Sequence, residues 1–213
     1  MTGTVRNAVT EALATFLFVF AIIGAVNNLD SPLAAIAIGF SLMVLVYATG
    51  HISGGHLNPA VSLAAWFRGA IGAGTFVAYI IAQFIGGAVG ALLAFAVWPA
   101  AESAVQIEIL PAFIVELVFT FILAFVVLNV ATSKDTEGNS FYGLAIGGTV
   151  VAGAIAVGSV SGGGFNPAVA LGLAVHGEFA WSNLWLYILA PLVGGALAAL
   201  AFRLLSSSDA KKA

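Results

Sequence analysis

Ser53-Gly54-Gly55-His56-Leu57-Asn58-Pro59-Ala60-Val61 returns later in the chain as Ser161-Gly162-Gly163-Gly164-Phe165-Asn166-Pro167-Ala168-Val169. In each copy a glycine-rich stretch leads into Asn-Pro. Asn is a strong helix N-cap, and Pro suits the first helical position. Each copy therefore reads as irregular backbone ending in a helix start. The apolar stretches that follow, Leu57 to Arg68 and Phe165 to Val175, are short. About ten helical residues cover ~15 Å, half of a ~30 Å hydrocarbon core.

Around these two segments lie six longer apolar runs, at roughly 8–26, 33–50, 71–98, 110–131, 142–160 and 184–204. Each is close to the ~20 residues a helix needs to cross a bilayer. Composition agrees: 62% of the 213 residues are hydrophobic and 7% are charged. A soluble domain carries about 25% charge. The solvent of this chain is lipid. The first run follows a single Arg and has no obvious cleavage site, so it reads as a retained span. With no cysteine there is no disulfide, thiol catalysis or thiolate-bound metal. The net charge of −3 and the lack of a basic stripe give no case for nucleic acid. No nucleophile–base pair or phosphate loop appears, so no enzyme is expected.

The duplication extends beyond the Asn-Pro-Ala segments. Glu11, Thr15 and Phe16 match Glu116, Thr120 and Phe121; Tyr79, Ala82, Gly86 and Gly87 match Tyr187, Ala190, Gly194 and Gly195. Three matches in the same order indicate two repeats, approximately 6–98 and 110–204, within a single channel domain of 1–213. Three spans per repeat is an odd number, so the second repeat crosses in the opposite sense. The expected fold is an all-α membrane protein: six transmembrane helices plus two re-entrant half-helices in an inverted repeat. With the N-terminus in the cytoplasm, Arg6, Arg68, Lys134, Arg203, Lys211 and Lys212 all fall inside, together with a polar tail at 205–213. The far loops hold Asp30, Glu102, Glu108 and Glu178 and no Lys or Arg. The positive-inside rule then predicts a multi-pass protein, here taken to lie in the plasma membrane, with both termini cytoplasmic.

Two half-helices entering from opposite sides meet N-terminus to N-terminus, and their positive dipole ends face one point. That point repels cations. The Asn58 and Asn166 amides can donate to a passing molecule. The carbonyls of Ser53, Gly54, Gly55 and His56, and of Ser161, Gly162, Gly163 and Gly164, can accept along one wall, with apolar side chains opposite. Glu11 and Glu116 are intramembrane carboxylates, open to reading as a proton relay or as a structural pair. Gln83 reads as a packing or loop-bonding residue. His51 and His56 are placed at the inner mouth and His176 in an outer loop; five-residue spacing without a third ligand argues against metal. Gly86, Gly87, Gly194 and Gly195 read as close helix contacts.

These motifs resemble the aquaporin, or major intrinsic protein, family, above all in the run His51 to Val61, and the likeness covers essentially the whole chain. The resemblance implies passive conduction of water or small neutral solutes, no cofactor and a homotetramer in the lipid bilayer. It also implies that Glu11 and Glu116 anchor the re-entrant loops. The family usually carries Arg three residues after the second motif's Asn; here Val169 stands there. Carrying over the other outer constriction positions gives Ile38, Ala154 and Gly163. This set is small and apolar, like that of some plant vacuolar members that pass solutes as well as water. Glycerol-type members have Asp after the Arg, whereas Ala170 is found here. The alternative to a channel is an inverted-repeat secondary transporter of a small solute.

Overall fold

The structure, a computed structural model, describes residues 3–206; the tail residues Lys211 and Lys212 lie outside the described residues. It contains α1 (Gly3–Asn28), α2 (Ser31–Ser53), α3 (Pro59–Arg68), α4 (Ala73–Ala94), α5 (Ile109–Thr132), α6 (Tyr142–Ser161), α7 (Pro167–His176) and α8 (Leu184–Leu205). Six of these are long and apolar enough to cross a membrane. The other two, α3 and α7, have ten residues each.

Apolar patterning located the spans but not their ends. Helix α1 begins five residues before the apolar run, because Thr4, Arg6 and Asn7 continue the helix where lipid no longer selects against polar groups. Helix α4 stops at Ala94, short of the expected Trp98. There the backbone tightens, with Ala96 N–H and Val97 N–H bonded to the Leu93 and Ala94 carbonyls. The apolar run continues because Trp98 folds over the end of α1, 5.1 Å from the Phe20 ring.

Helices α1 and α4 pack together, as do α5 and α8, while α2 lies on α6. The short helices cross over: α3 rests on α8 and α7 on α4. Glycine makes these crossings close. A Cβ on Gly87 would sit 2.5 Å from the Ala168 carbonyl oxygen, and one on Gly195 would sit 2.5 Å from that of Ala60. The Gly86 and Gly194 positions approach the Ala12 and Leu117 carbonyls equally tightly, at 2.2 and 2.4 Å. Small residues let backbones meet where lipid gives helices no hydrophobic reason to associate. Large apolar side chains such as Leu13, Phe40, Ile85, Leu110 and Leu200 point outward and are exposed. The polar groups are inside: Glu11, Gln83 and Glu116 are fully buried.

Candidate functional site

The backbone before each short helix is strained in the same way. Leu57 (φ 50°) and Phe165 (φ 47°) both adopt the left-handed region, next to positive-φ glycines at 54, 55, 162 and 163. For a bulky residue this conformation is an outlier and persists only where its surroundings enforce it. Here both ends of the residue are held. Leu57 N–H donates to Glu11 Oε2 at 2.7 Å, and Phe165 N–H to Glu116 Oε2 at 2.6 Å. Their carbonyls accept from the opposite half: Asn166 Nδ2 donates to Leu57 O at 2.8 Å, and Asn58 Nδ2 to Phe165 O at 3.0 Å.

The two glutamates hold these loops from the bundle interior. Glu11 Oε1 accepts from Ser53 Oγ (2.6 Å) and His56 N–H (3.0 Å), and its Oε2 also accepts from Gln83 Nε2 (2.8 Å). Glu116 Oε1 accepts from Ser161 Oγ (2.7 Å) and Gly164 N–H (2.8 Å). Nothing corresponds to Gln83 in the second half, where the equivalent residue is Pro191. Gln83 Nε2 also reaches Ser62 Oγ at 2.9 Å, and Ser62 lies 3.0 Å from His56 Nδ1.

The asparagines cap their helices. Asn58 Oδ1 accepts from Ala60 N–H at 2.8 Å, and Asn166 Oδ1 from Ala168 N–H at 3.0 Å. An amide NH₂ has two hydrogens. One is committed across the bundle, which leaves one per asparagine for a passing molecule. The N-termini of α3 and α7 abut here, so two positive dipole ends converge.

A file of cavities runs through this point. At the end of the bundle that holds the start of α1 and the end of α8 lies a cavity of about 400 Å³ bordered by Ser53, Gly54, His56 and Arg68. Beside it, one of about 590 Å³ is bordered by His51, Lys134, Asn139 and Tyr142. The middle holds only about 20 Å³, between Asn58, Asn166, Phe18, Leu42, Val61 and Val127. That is room for about one water molecule. Beyond it, about 150 Å³ opens between Ile38, Ala154, Gly163 and Val169. Successive cavities share walls, His56 and Val127 on one side and Phe18 and Gly164 on the other.

One expectation needs correction, and another gains detail. The Ser53 and Ser161 carbonyls each accept from a buried tyrosine hydroxyl, Tyr79 at 2.6 Å and Tyr187 at 2.5 Å, which occupies one of the two lone pairs of each oxygen; each phenol needs an acceptor in the apolar interior. Ser53, the glycines, His56 and Phe165 are the loop residues that border the cavities. His176 is not in a loop. It is the last residue of α7, fully buried, stacked on Phe95 with ring centroids 4.5 Å apart and 2.8 Å from Glu178 Oε1. An imidazole at a helix C-terminus faces that helix's negative end, and a carboxylate beside it completes the pairing. Val105, Glu178 and Phe179 also border the 150 Å³ cavity, and motif spacing did not find them. Gly162 gives Phe179 its room: a Cβ there would fall 2.7 Å from the Phe179 ring.

Comparison with known proteins places this geometry. The chain is 39% identical to glycerol uptake facilitator protein-like 6 of Lactiplantibacillus plantarum, over 96% of this chain and 100% of that one. It is 36% identical to nodulin-26 of Glycine max, over 96% of this chain and 79% of that one. Its fold matches the X-ray structure of the aquaglyceroporin from Plasmodium falciparum with a TM-score of 0.84, at 23% identity, covering 96% and 98% of the two chains. The family model described as Major intrinsic protein matches residues 1–202, and the chain belongs to that family, a family of multi-pass membrane channels.

Proposed function

We propose that the chain is a passive transmembrane channel for water and small neutral solutes, narrowest where Asn58 and Asn166 meet. The observation that carries this is the reciprocal bonding of the two capped half-helices at a one-water cavity in a continuous file. A molecule there receives donors from two amides on one side and meets Phe18, Leu42, Val61 and Val127 on the other. Cations face two dipole ends, while neutral molecules cross without that barrier. The transporter alternative requires the halves to rock apart, which would break both Asn-to-carbonyl bonds. Stopped-flow shrinkage of proteoliposomes should show water flux with low activation energy and no coupling ion. Flux that requires an ion gradient would favour the transporter.

The paired Glu anchors, paired glycines and paired caps support two inverted repeats, 6–98 and 110–204. Ile38, Ala154, Gly163 and Val169 act as the wide constriction, a reading supported by the one cavity they share. Arg6, Arg68, Lys134 and Arg203 all lie at the end of the bundle that holds the start of α1 and the end of α8, which supports cytoplasmic termini; the plasma membrane is the membrane proposed. A C-terminal tag cleaved in intact cells would overturn that orientation. The exposed apolar faces suit lipid and sister subunits of a homotetramer; cross-linking in membranes that stops at the monomer would contradict it.

A further inference from the structure

The cavity of about 150 Å³ has apolar walls, including Ile38, Val150, Ala154, Val169 and Leu173, and one charged side chain, Glu178. We propose that Glu178 is the acceptor that decides which neutral solutes enter this cavity, favouring small solutes rich in N–H donors, of the urea type. The proposal rests on the channel reading above and names its solute class.

Glu178 is built into place from three directions. His176 Nδ1 lies 2.8 Å from Oε1, with the imidazole fixed on Phe95. Asn27 Nδ2 on α1 reaches the same oxygen at 3.5 Å. The Glu178 carbonyl accepts from Val105 N–H at 2.8 Å, and Val105 is itself a wall of the cavity. The other carboxylate oxygen, Oε2, is closed off from solvent and meets no donor among the described residues. A carboxylate has acceptor sites for several bonds, and a buried oxygen left unmet is costly. The last torsion of a glutamate is soft, so a small turn of the carboxylate that keeps Oε1 within reach of His176 tips Oε2 toward the cavity with the backbone unmoved.

With Val at 169 this cavity has no fixed cation among its lining residues; its one fixed charge is an acceptor. That reverses the chemical preference of the opening. A solute gains here by donating hydrogen bonds, and urea brings four N–H groups without a charge to be stopped at the dipoles further in. A solute with few donors gains nothing from Glu178 beyond the space available.

The test measures water and urea flux in the same proteoliposomes for the unmodified chain, Glu178→Gln and His176→Phe. Glu178→Gln should lower the urea-to-water ratio at least about tenfold, a change of about 1.4 kcal/mol and just under the low end for one hydrogen bond to a charged group. His176→Phe keeps a ring on Phe95, removes the bond that holds Oε1 and removes the partnerless Nε2. It should shift the ratio in the same direction, whereas a purely structural role would lower both fluxes together. If Glu178→Gln is not recovered folded, Glu178→Asp, which withdraws the carboxylate by one methylene, decides in its place. A ratio unchanged in the recovered variants, with water flux intact, overturns the role of Glu178 and leaves the channel standing. Absence of water flux in the unmodified chain overturns both.

Discussion

Replacing each buried glutamate by glutamine should cost unequal amounts, although the two residues occupy matching positions. In the second half, Glu116 Oε1 takes Ser161 Oγ and Gly164 N–H while Oε2 takes Phe165 N–H. Glutamine offers one oxygen and one NH₂. Whichever way the amide turns, an NH₂ faces a backbone N–H, and that N–H is stranded. Losing a buried bond to a charged group costs about 1.5–3 kcal/mol. Glu11→Gln strands one N–H as well, but it has relief. The new NH₂ can face Gln83, whose Oε1 has no partner, and a turn of the Gln83 amide supplies an acceptor. Ser62, now accepting from Gln83 Nε2, can rotate its hydroxyl to donate instead. One regained neutral bond is worth about 1 kcal/mol. Glu116→Gln should therefore destabilise by about 1 kcal/mol more than Glu11→Gln. The assay is unfolding of purified protein in mixed detergent micelles, with proteoliposome water flux as a check of the folded fraction. Equal costs, or a larger cost at Glu11, would refute the compensation through Gln83. Intact stability with abolished proton-coupled flux in either variant would instead revive the proton-relay reading.

Val169→Arg should reduce passage of glycerol more than passage of water, because its longer side chain enters the 150 Å³ cavity and adds a permanent charge; an unchanged glycerol-to-water ratio would place the constriction elsewhere. Gly195→Ala should destabilise by about 1–3 kcal/mol through overpacking against the Ala60 carbonyl. Gly148→Ala, whose Cβ would meet nothing within 4 Å, should be neutral or slightly stabilising in the same unfolding assay.

The spans, the half-helices and their caps were legible because each rests on a strong local rule. Lipid demands apolar length, and Asn-Pro starts a helix. The limits of α1 and α4 were not legible, since Arg6 and Trp98 sit where the membrane constraint fades and tertiary contacts decide. The four constriction residues were carried over from the family resemblance and do share a cavity. Glu178 and Phe179 escaped because nothing in their local sequence marks a loop that folds back over its own half-helix. His176 was misplaced for a related reason: its burial depends on Phe95 and Glu178, one distant in the chain and one just beyond the apparent helix end.

The crossed asparagine bonds also bear on how the protein is made. Asn58 finds its acceptor on Phe165, 107 residues later in the chain. At roughly 5–20 residues per second, the ribosome delivers that acceptor about 5–20 s after Asn58 itself. During that interval Leu57 has Glu11 to hold its N–H but nothing from the other half to bind its carbonyl, so its left-handed backbone is only half supported. The first re-entrant segment can settle only after the second has been synthesised and inserted. The mutual locking of the two loops is thus a late step of biogenesis, and a chain cut short before Phe165 lacks both the acceptor for Asn58 and the donor for Leu57.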